Sequence, residues 1–233
     1  MKTLVVVPAY NEAENISNVI GDLREHFPQG DIIVINDGSL DTTSPVARSL
    51  GVRVIDLPFN LGIGGAVQTG IKYAHKHNYD VAIQFDGDGQ HIGEEIEKII
   101  KPVHEGADIV IGSRFLDAGT YSMPLSRRMG STVFSRVLSF VCRQKLTDTT
   151  SGFRAYGEKV IQLFSAYYPE DYPEVEALIV AHKNQLTIRE VPVSMRQRAG
   201  GKSSITALWS VYYMIKVLLA IFIDVLKRRY IVK

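Results

Sequence analysis

Five short apolar runs, at residues 3–7, 32–35, 52–55, 81–85 and 109–111, alternate with segments of helical period, and that alternation leaves few folds open. Runs of this length, bounded by turn residues, read as strands buried on both faces. Between them Ile92, Ile96, Ile99, Ile100 and Val103 recur at the spacing of an amphipathic helix, and weaker helical patterns follow Glu14, Thr42 and Ala66. Strand and helix in alternation predict an α/β fold, a mostly parallel sheet covered by helices on both faces. A further strand is expected over 187–193, before a loop at 196–204, while residues 114–150 break the pattern with a basic stretch. With 233 residues and 45% apolar content the chain can bury a core of its own. The expected organisation is one domain over 1–204, then an apolar, amphipathic helix with a basic end over 205–233.

In open parallel sheets ligands bind beyond the carboxyl ends of the strands, so the residues there carry the functional reading. After the first strand come Pro8, Ala9, Tyr10, Asn11 and Glu12, and after the second Asn36, Asp37, Gly38 and Ser39. Either segment alone serves as a turn or helix cap. Together they set an aromatic ring and several acceptors on one rim, as a nucleobase and ribose require. Asn60 to Ala66, with Gly62, Gly64 and Gly65, opens a helix whose N–H groups suit a phosphate, although packing explains those glycines equally well. The strongest local signal follows the fourth strand: Asp86, Gly87, Asp88, Gly89, Gln90 and His91. Two carboxylates this close repel one another, which a hard divalent cation that also holds a diphosphate would relieve; a turn with unpaired surface aspartates is the alternative. A phosphatase of the haloacid type also uses Asp-x-Asp after a strand, but it carries Thr or Val where this chain has Gln90. His91 reads as support for the loop rather than as an acid or base.

Charge is divided along the chain. Residues 1–112 hold 8 Lys and Arg against 16 Asp and Glu, and residues 113–233 hold 18 against 9. An acidic first half suits a bound cation, and a basic second half suits phosphates or an anionic membrane, though solvated surface charge accounts for much of any such split. No nucleic-acid partner is expected. Cys142 is the only cysteine, which fits a reducing compartment, and the first apolar run ends at Pro8, too short for an export signal.

At these residues the chain resembles family 2 glycosyltransferases of the GT-A fold, and among them the polyprenyl and dolichyl phosphate sugar synthases. The resemblance runs from about Thr3 to Ser204. It includes Gly112-Ser113-Arg114-Phe115 and Thr150-Ser151-Gly152-Phe153-Arg154 beside the motifs above. It implies an inverting, metal-dependent transfer from a UDP- or GDP-sugar to a lipid phosphate. The metal, Mg2+ or Mn2+, would fall on Asp86, Asp88 and Gln90, and the nucleotide on Pro8, Tyr10, Glu12 and Asp37. Arg114, one of Arg127 and Arg128 (Arg128 the favoured one), and Arg198 are similar to the arginines that hold the acceptor phosphate and the diphosphate. Two departures stand out. Lys202 comes two places early in the loop after Arg198, and the acidic segment from Tyr172 to Glu176 does not align with the motifs of the dolichyl enzymes, marking a bacterial subgroup or holding an acceptor-side base.

A lipid phosphate needs no strong base, because its second pKa is about 6. A sugar hydroxyl would need one, and Asp117, Asp148, Glu174 and Glu176 are the candidates. A soluble transferase extending a glycan, and a non-catalytic membrane subunit that binds sugar nucleotide, are the competing readings. In the last segment Thr206, Ser210, Lys216, Asp224, Lys227 and Arg228 fall on roughly one third of a helix, leaving a broad apolar face. Trp209, Tyr212, Tyr213 and the basic end favour a helix lying in the membrane interface or pairing with a membrane partner. Packing on the protein's own body or in a homo-oligomer is the alternative. The expected location is the cytoplasmic face of a membrane.

Overall fold

The computed structural model describes residues 1–116, 125–169, 171–196 and 207–227, with side chains at 125–129 and 207–213 outside that set. Seven strands form one sheet in the order β3-β2-β1-β4-β6-β5-β7. They are β1 (Thr3–Ala9), β2 (Asp31–Asn36), β3 (Arg53–Asp56), β4 (Val81–Gln84), β5 (Ile109–Ser113), β6 (Arg154–Gly157) and β7 (Ile188–Pro192). All neighbours run parallel except at β6, which is antiparallel to both β4 and β5. Six of these strands coincide with the expected runs. β6 was not anticipated, and its insertion makes the sheet mixed.

β1 shows how the sheet sorts its side chains. Its residues alternate between faces with a period of two. Leu4 and Val6 join the core under α3 (Gly62–Lys76), α6 (Glu158–Ala166) and α7 (Pro173–Lys183). Val5, Val7 and Ala9 join the core under α1 (Ile16–His26), α2 (Thr43–Ser49) and α4 (Ile96–His104). Both faces are therefore dry, as a parallel sheet demands.

The helices refine the sequence reading at several points. α3 begins at Gly62, inside the segment expected to open a helix, so the glycines form its first turn. A 3-10 turn at Gly93–Glu95 precedes α4. Inside the basic stretch lies α5 (Leu125–Val141). α7 escapes periodicity analysis because Val175, Glu176 and the run from Ala177 to Ala181 are all buried.

The last helix, α8 (Ala207–Leu226), packs on α5 and α7. Val217, Ile221 and Asp224 are buried, at i, i+4 and i+7, and Lys183 donates to the carbonyl oxygens of Asp224 and Lys227. Asp224, expected on a polar face, thus points into the protein, while Ile215, Leu219, Phe222 and Leu226 are exposed on the other side. No helix among the described residues is long and apolar enough to cross a membrane.

Candidate active site

The strand-end segments converge at the carboxyl edge of β1, β2 and β4. A cleft of about 280 Å³ there is lined by Pro8, Ala9, Tyr10, Glu12, Asp37, Asn60, Gly62, Ile63, Ala66, Asp86, Gly87 and Asp88. The structure therefore gathers six nominated residues, Pro8, Tyr10, Glu12, Asp37, Asp86 and Asp88, around one space. Gly64 is buried within the first turn of α3 and does not line the cleft. A larger concavity of about 450 Å³ lies at the amino ends of the strands, near Asp31 and Arg53, away from these motifs.

The rim is tied together by side-chain to backbone bonds. Asp37 Oδ1 accepts the N–H of Leu61 at 2.7 Å, joining the loops after β2 and β3. Asn11, at φ 55°, accepts the N–H of Leu40 at 2.8 Å, and its own N–H reaches Ser39 Oγ at 2.9 Å. Glu12 Oε2 accepts from Asn15 Nδ2 at 2.7 Å. Tyr10 keeps its ring partly in solvent, available for stacking.

Below the rim lies the carboxylate turn. The Gly87 N–H donates to Pro8 O at 3.1 Å, and a Cβ on Gly87 would sit 2.9 Å from that same oxygen, so only glycine lets the turn lie on the end of β1. Asp86 Oδ1 accepts from Gln84 Nε2 at 3.1 Å, and Asp88 Oδ1 accepts the Gln90 N–H at 3.1 Å. Burial raises the Asp86 pKa, against the Gln84 hydrogen bond and the charges of Arg114 and Arg154 that lower it. A divalent cation would relieve that tension between a partly buried carboxylate and its charge. Among the described residues no group of three or more His, Cys, Asp or Glu side chains converges as a metal cage. Two carboxylates at a cleft fit a hard cation that takes its remaining oxygens from a substrate diphosphate.

His91 is a support for this turn. Its Nδ1 accepts the Asp86 N–H at 3.0 Å, which leaves the ring proton on Nε2, 3.6 Å from Asp86 Oδ2. The ring stacks on Phe153 at 4.8 Å and meets Phe85 edge-on at 5.2 Å. Burial lowers its pKa to about 4. A neutral, enclosed imidazole with its acceptor nitrogen occupied is no general base.

Arg196 links the end of the domain to the same turn. Its N–H donates to Gln90 O at 2.8 Å, and its guanidinium reaches His91 O at 3.2 Å and Asp22 Oδ2 at 3.1 Å. Sequence reading passed over this residue in favour of Arg198, which lies outside the described residues, as does Asp117.

Arg114 makes a contact that its sequence neighbours do not foretell. Its Nε and Nη2 donate to the two oxygens of Asp148, each at 2.7 Å, and Nη2 also reaches Thr150 Oγ1 at 3.1 Å. Two of its nitrogens are thus engaged by a buried carboxylate. Asp148 is removed by that pairing from the candidate bases. Glu176 accepts the Tyr172 N–H at 3.4 Å and feels the charge of Asp224, on the α8 side. Glu174 stands in the field of Asp86, and burial raises its pKa. Arg128 lies on α5 with its side chain outside the described residues.

Residues 4–164 match the family described as Glycosyl transferase family 2. The chain belongs to glycosyl transferase family 2. Within that family it is 33% identical over 210 residues to the UDP-N-acetylglucosamine–dolichyl-phosphate N-acetylglucosaminyltransferase of Methanococcus voltae, covering 81% of this chain and 83% of that one. It is 31% identical over 215 residues to the polyprenol monophosphomannose synthase of Mycolicibacterium smegmatis, covering 88% and 81%. A solved structure of glucosyl-3-phosphoglycerate synthase from Mycobacterium tuberculosis, in complex with Mn2+, UDP and phosphoglyceric acid, superposes with a TM-score of 0.72 at 19% identity, over 98% of this chain and 80% of that one. That likeness concerns the fold, which is GT-A. This family 2 member is a glycosyltransferase, with homologues named for polyprenyl and dolichyl phosphate acceptors.

Proposed function

We propose that this glycosyltransferase moves a sugar, with inversion, from a UDP- or GDP-sugar to a polyprenyl phosphate at the cytoplasmic face of a membrane. The observation that carries the reading is the convergence of Tyr10, Glu12, Asp37, Asp86 and Asp88 on one cleft. Tyr10 offers a stacking face to the base, while Glu12 and Asp37 offer acceptors to base and ribose. Asp86 and Asp88, with Gln90 beside them, would hold Mg2+ or Mn2+, and the cation when bound supplies a Lewis acid against the charge on the leaving diphosphate.

A phosphate nucleophile suits a site whose one histidine is neutral and enclosed. One phosphate oxygen bonds to the anomeric carbon as the bond from that carbon to the diphosphate oxygen breaks on the opposite face. The phosphate is already ionised, so no protein base takes a proton. A groove of about 410 Å³ supports an anionic acceptor: it is lined by Ser131, Ser135, Arg136 and Lys145, with Phe115 and Thr147, the chain neighbours of Arg114 and Asp148. The Ser131 Oγ is buried without a partner. The exposed apolar side of α8 supports attachment to the membrane surface.

The test is to incubate purified full-length protein and Mn2+ or Mg2+ with polyprenyl phosphate and a panel of UDP- and GDP-sugars, then extract the lipid. Sugar in the organic phase that is released by mild acid is the expected result. Transfer only to free glycans, across the whole panel, would overturn the lipid reading.

A further inference from the structure

We propose that Arg154 is a positioning residue for the carboxylate of Asp86, acting through the 149–152 loop that its guanidinium gathers; the inference rests on the metal reading above. Antiparallel β6 sets Arg154 beside Gln84 of β4, two residues before Asp86, and beside Ile111 of β5. The side chain is fully buried. Its Nε donates to Ser151 O at 2.8 Å and its Nη2 to Thr149 O at 3.0 Å, so one planar fork holds two carbonyls of the same loop.

The consequence falls on Gly152. A Cβ built there would lie 2.8 Å from Asp86 Oδ2 and 2.9 Å from Gln84 Nε2. The loop is thus a wall against one oxygen of Asp86, while Gln84 holds the other. Both oxygens are placed by groups that Arg154 neighbours or fastens. A cation site depends on such outer groups, because a ligand free to swing costs affinity.

The guanidinium is also an expensive choice for a core strand. Its Nη1 is buried with no hydrogen-bond partner, and the Thr149 Oγ1 beside the clamped carbonyl is likewise unpaired. An unpaired buried donor weakens a fold, and in native proteins it commonly marks a functional constraint. The positive charge of Arg154 also lies near Asp86 and Glu174.

The test is Mn2+ binding by the full chain, followed by the loss of the free-ion paramagnetic resonance signal, for the wild type, Arg154→Lys and Gly152→Ala. Lysine keeps the charge but lacks the planar fork that spans two carbonyls. Folded Arg154→Lys is expected to bind Mn2+ about tenfold more weakly or worse, as loss of an outer-shell partner does. Gly152→Ala, whose methyl would press on Asp86 Oδ2, is expected to weaken Mn2+ similarly, and it decides the question if Arg154→Lys does not fold. Wild-type Mn2+ affinity in folded Arg154→Lys, or in Gly152→Ala where the lysine variant fails to fold, overturns the inference. A wild-type chain that takes up no Mn2+ instead overturns the metal reading, and this inference with it.

Discussion

Arg114 and Asp148 meet in a two-pronged ion pair, with Nε on Oδ2 and Nη2 on Oδ1 at 2.7 Å each and Asp148 wholly buried. The Arg114 N–H adds a third bond to Oδ2 at 3.0 Å. The pair fastens the end of β5 to the loop before β6 across 34 residues of chain. Removing one partner of such a pair strands the other, at a cost of about 3–5 kcal/mol. Asp148→Ala is therefore expected to lower the melting temperature by roughly 6–20 °C for a chain of this size, read by calorimetry. Arg114→Met with Asp148→Leu should recover part of that loss, because no buried charge is left unpaired. A single variant melting like the wild type would show that the pair is solvated.

Asp88→Asn separates charge from shape at the cation site. The amide oxygen can still accept the Gln90 N–H that Asp88 Oδ1 accepts at 3.1 Å, so the turn should keep its form. What is lost is the charge that holds the cation. Turnover is expected to fall about a hundredfold or more, with an unchanged melting temperature. Full turnover by the folded variant removes Asp88 from the metal site.

Cys142 sits at the end of α5, buried, with its thiol pushed up to about 11 by the loss of solvent. Thiolate is the reactive form, so almost none is present at pH 8. Iodoacetamide at that pH is expected to leave the native protein unmodified for hours and to alkylate it within minutes in denaturant, as read by mass spectrometry. Rapid native labelling would mean that α5 opens readily from the body.

Asp22 ties α1 to Arg196 and so to the carboxylate turn. Burial pushes its pKa up, but the Arg196 hydrogen bond, the Gly93 N–H and the nearby charges together bring it below the ordinary carboxylate value. A depressed carboxylate stabilises the fold above its unfolded pKa of about 3.9, and that contribution is lost as pH falls through the lower folded value. Arg196 is half exposed, so the pair contributes about 1 kcal/mol or less. Asp22→Asn should therefore melt a few degrees below the wild type at pH 7, with the gap closing below pH 4. A gap that persists at pH 2.5 would assign the effect to packing instead.

The parallel core of this fold was legible because its strands are apolar runs ended by polar turns, and the cleft was legible because those turns all lie on one edge of the sheet. β6 hid itself. Its four residues include Arg154, fully buried, and a charge inside a strand erases the apolar signal that would reveal it. Arg114 was nominated to hold phosphate, but its pairing with Asp148 is a contact between distant segments that no local spacing encodes. For α8 the polar residues were found, but not that Asp224 among them is buried against the protein body. Hydropathy separates the two faces of a helix without saying which one meets the protein.

The packed side of α8 decides how the membrane reading is tested. Removing α8 would uncover Val217 and Ile221 together with the α5 and α7 surfaces they cover, so a truncated chain could fail for reasons unrelated to lipid. Substitutions on the outward side avoid this. Leu219 is 56% exposed and Phe222 61%, so charging them leaves the packed side of α8 in place. Each side chain transferred from water to an apolar phase contributes about 1.5–3 kcal/mol, and the two together about 3–6. Leu219→Asp with Phe222→Asp is therefore expected to weaken sedimentation with anionic vesicles about a hundredfold or more, because the new carboxylates also meet like charge on the lipid. Its melting temperature and Mn2+ binding should match the wild type. Vesicle binding equal to that of the wild type would show that this face does not meet the membrane. A variant that stays off vesicles no more than the wild type, yet dissociates from dimer to monomer in sedimentation velocity, would assign the face to a second copy of this chain.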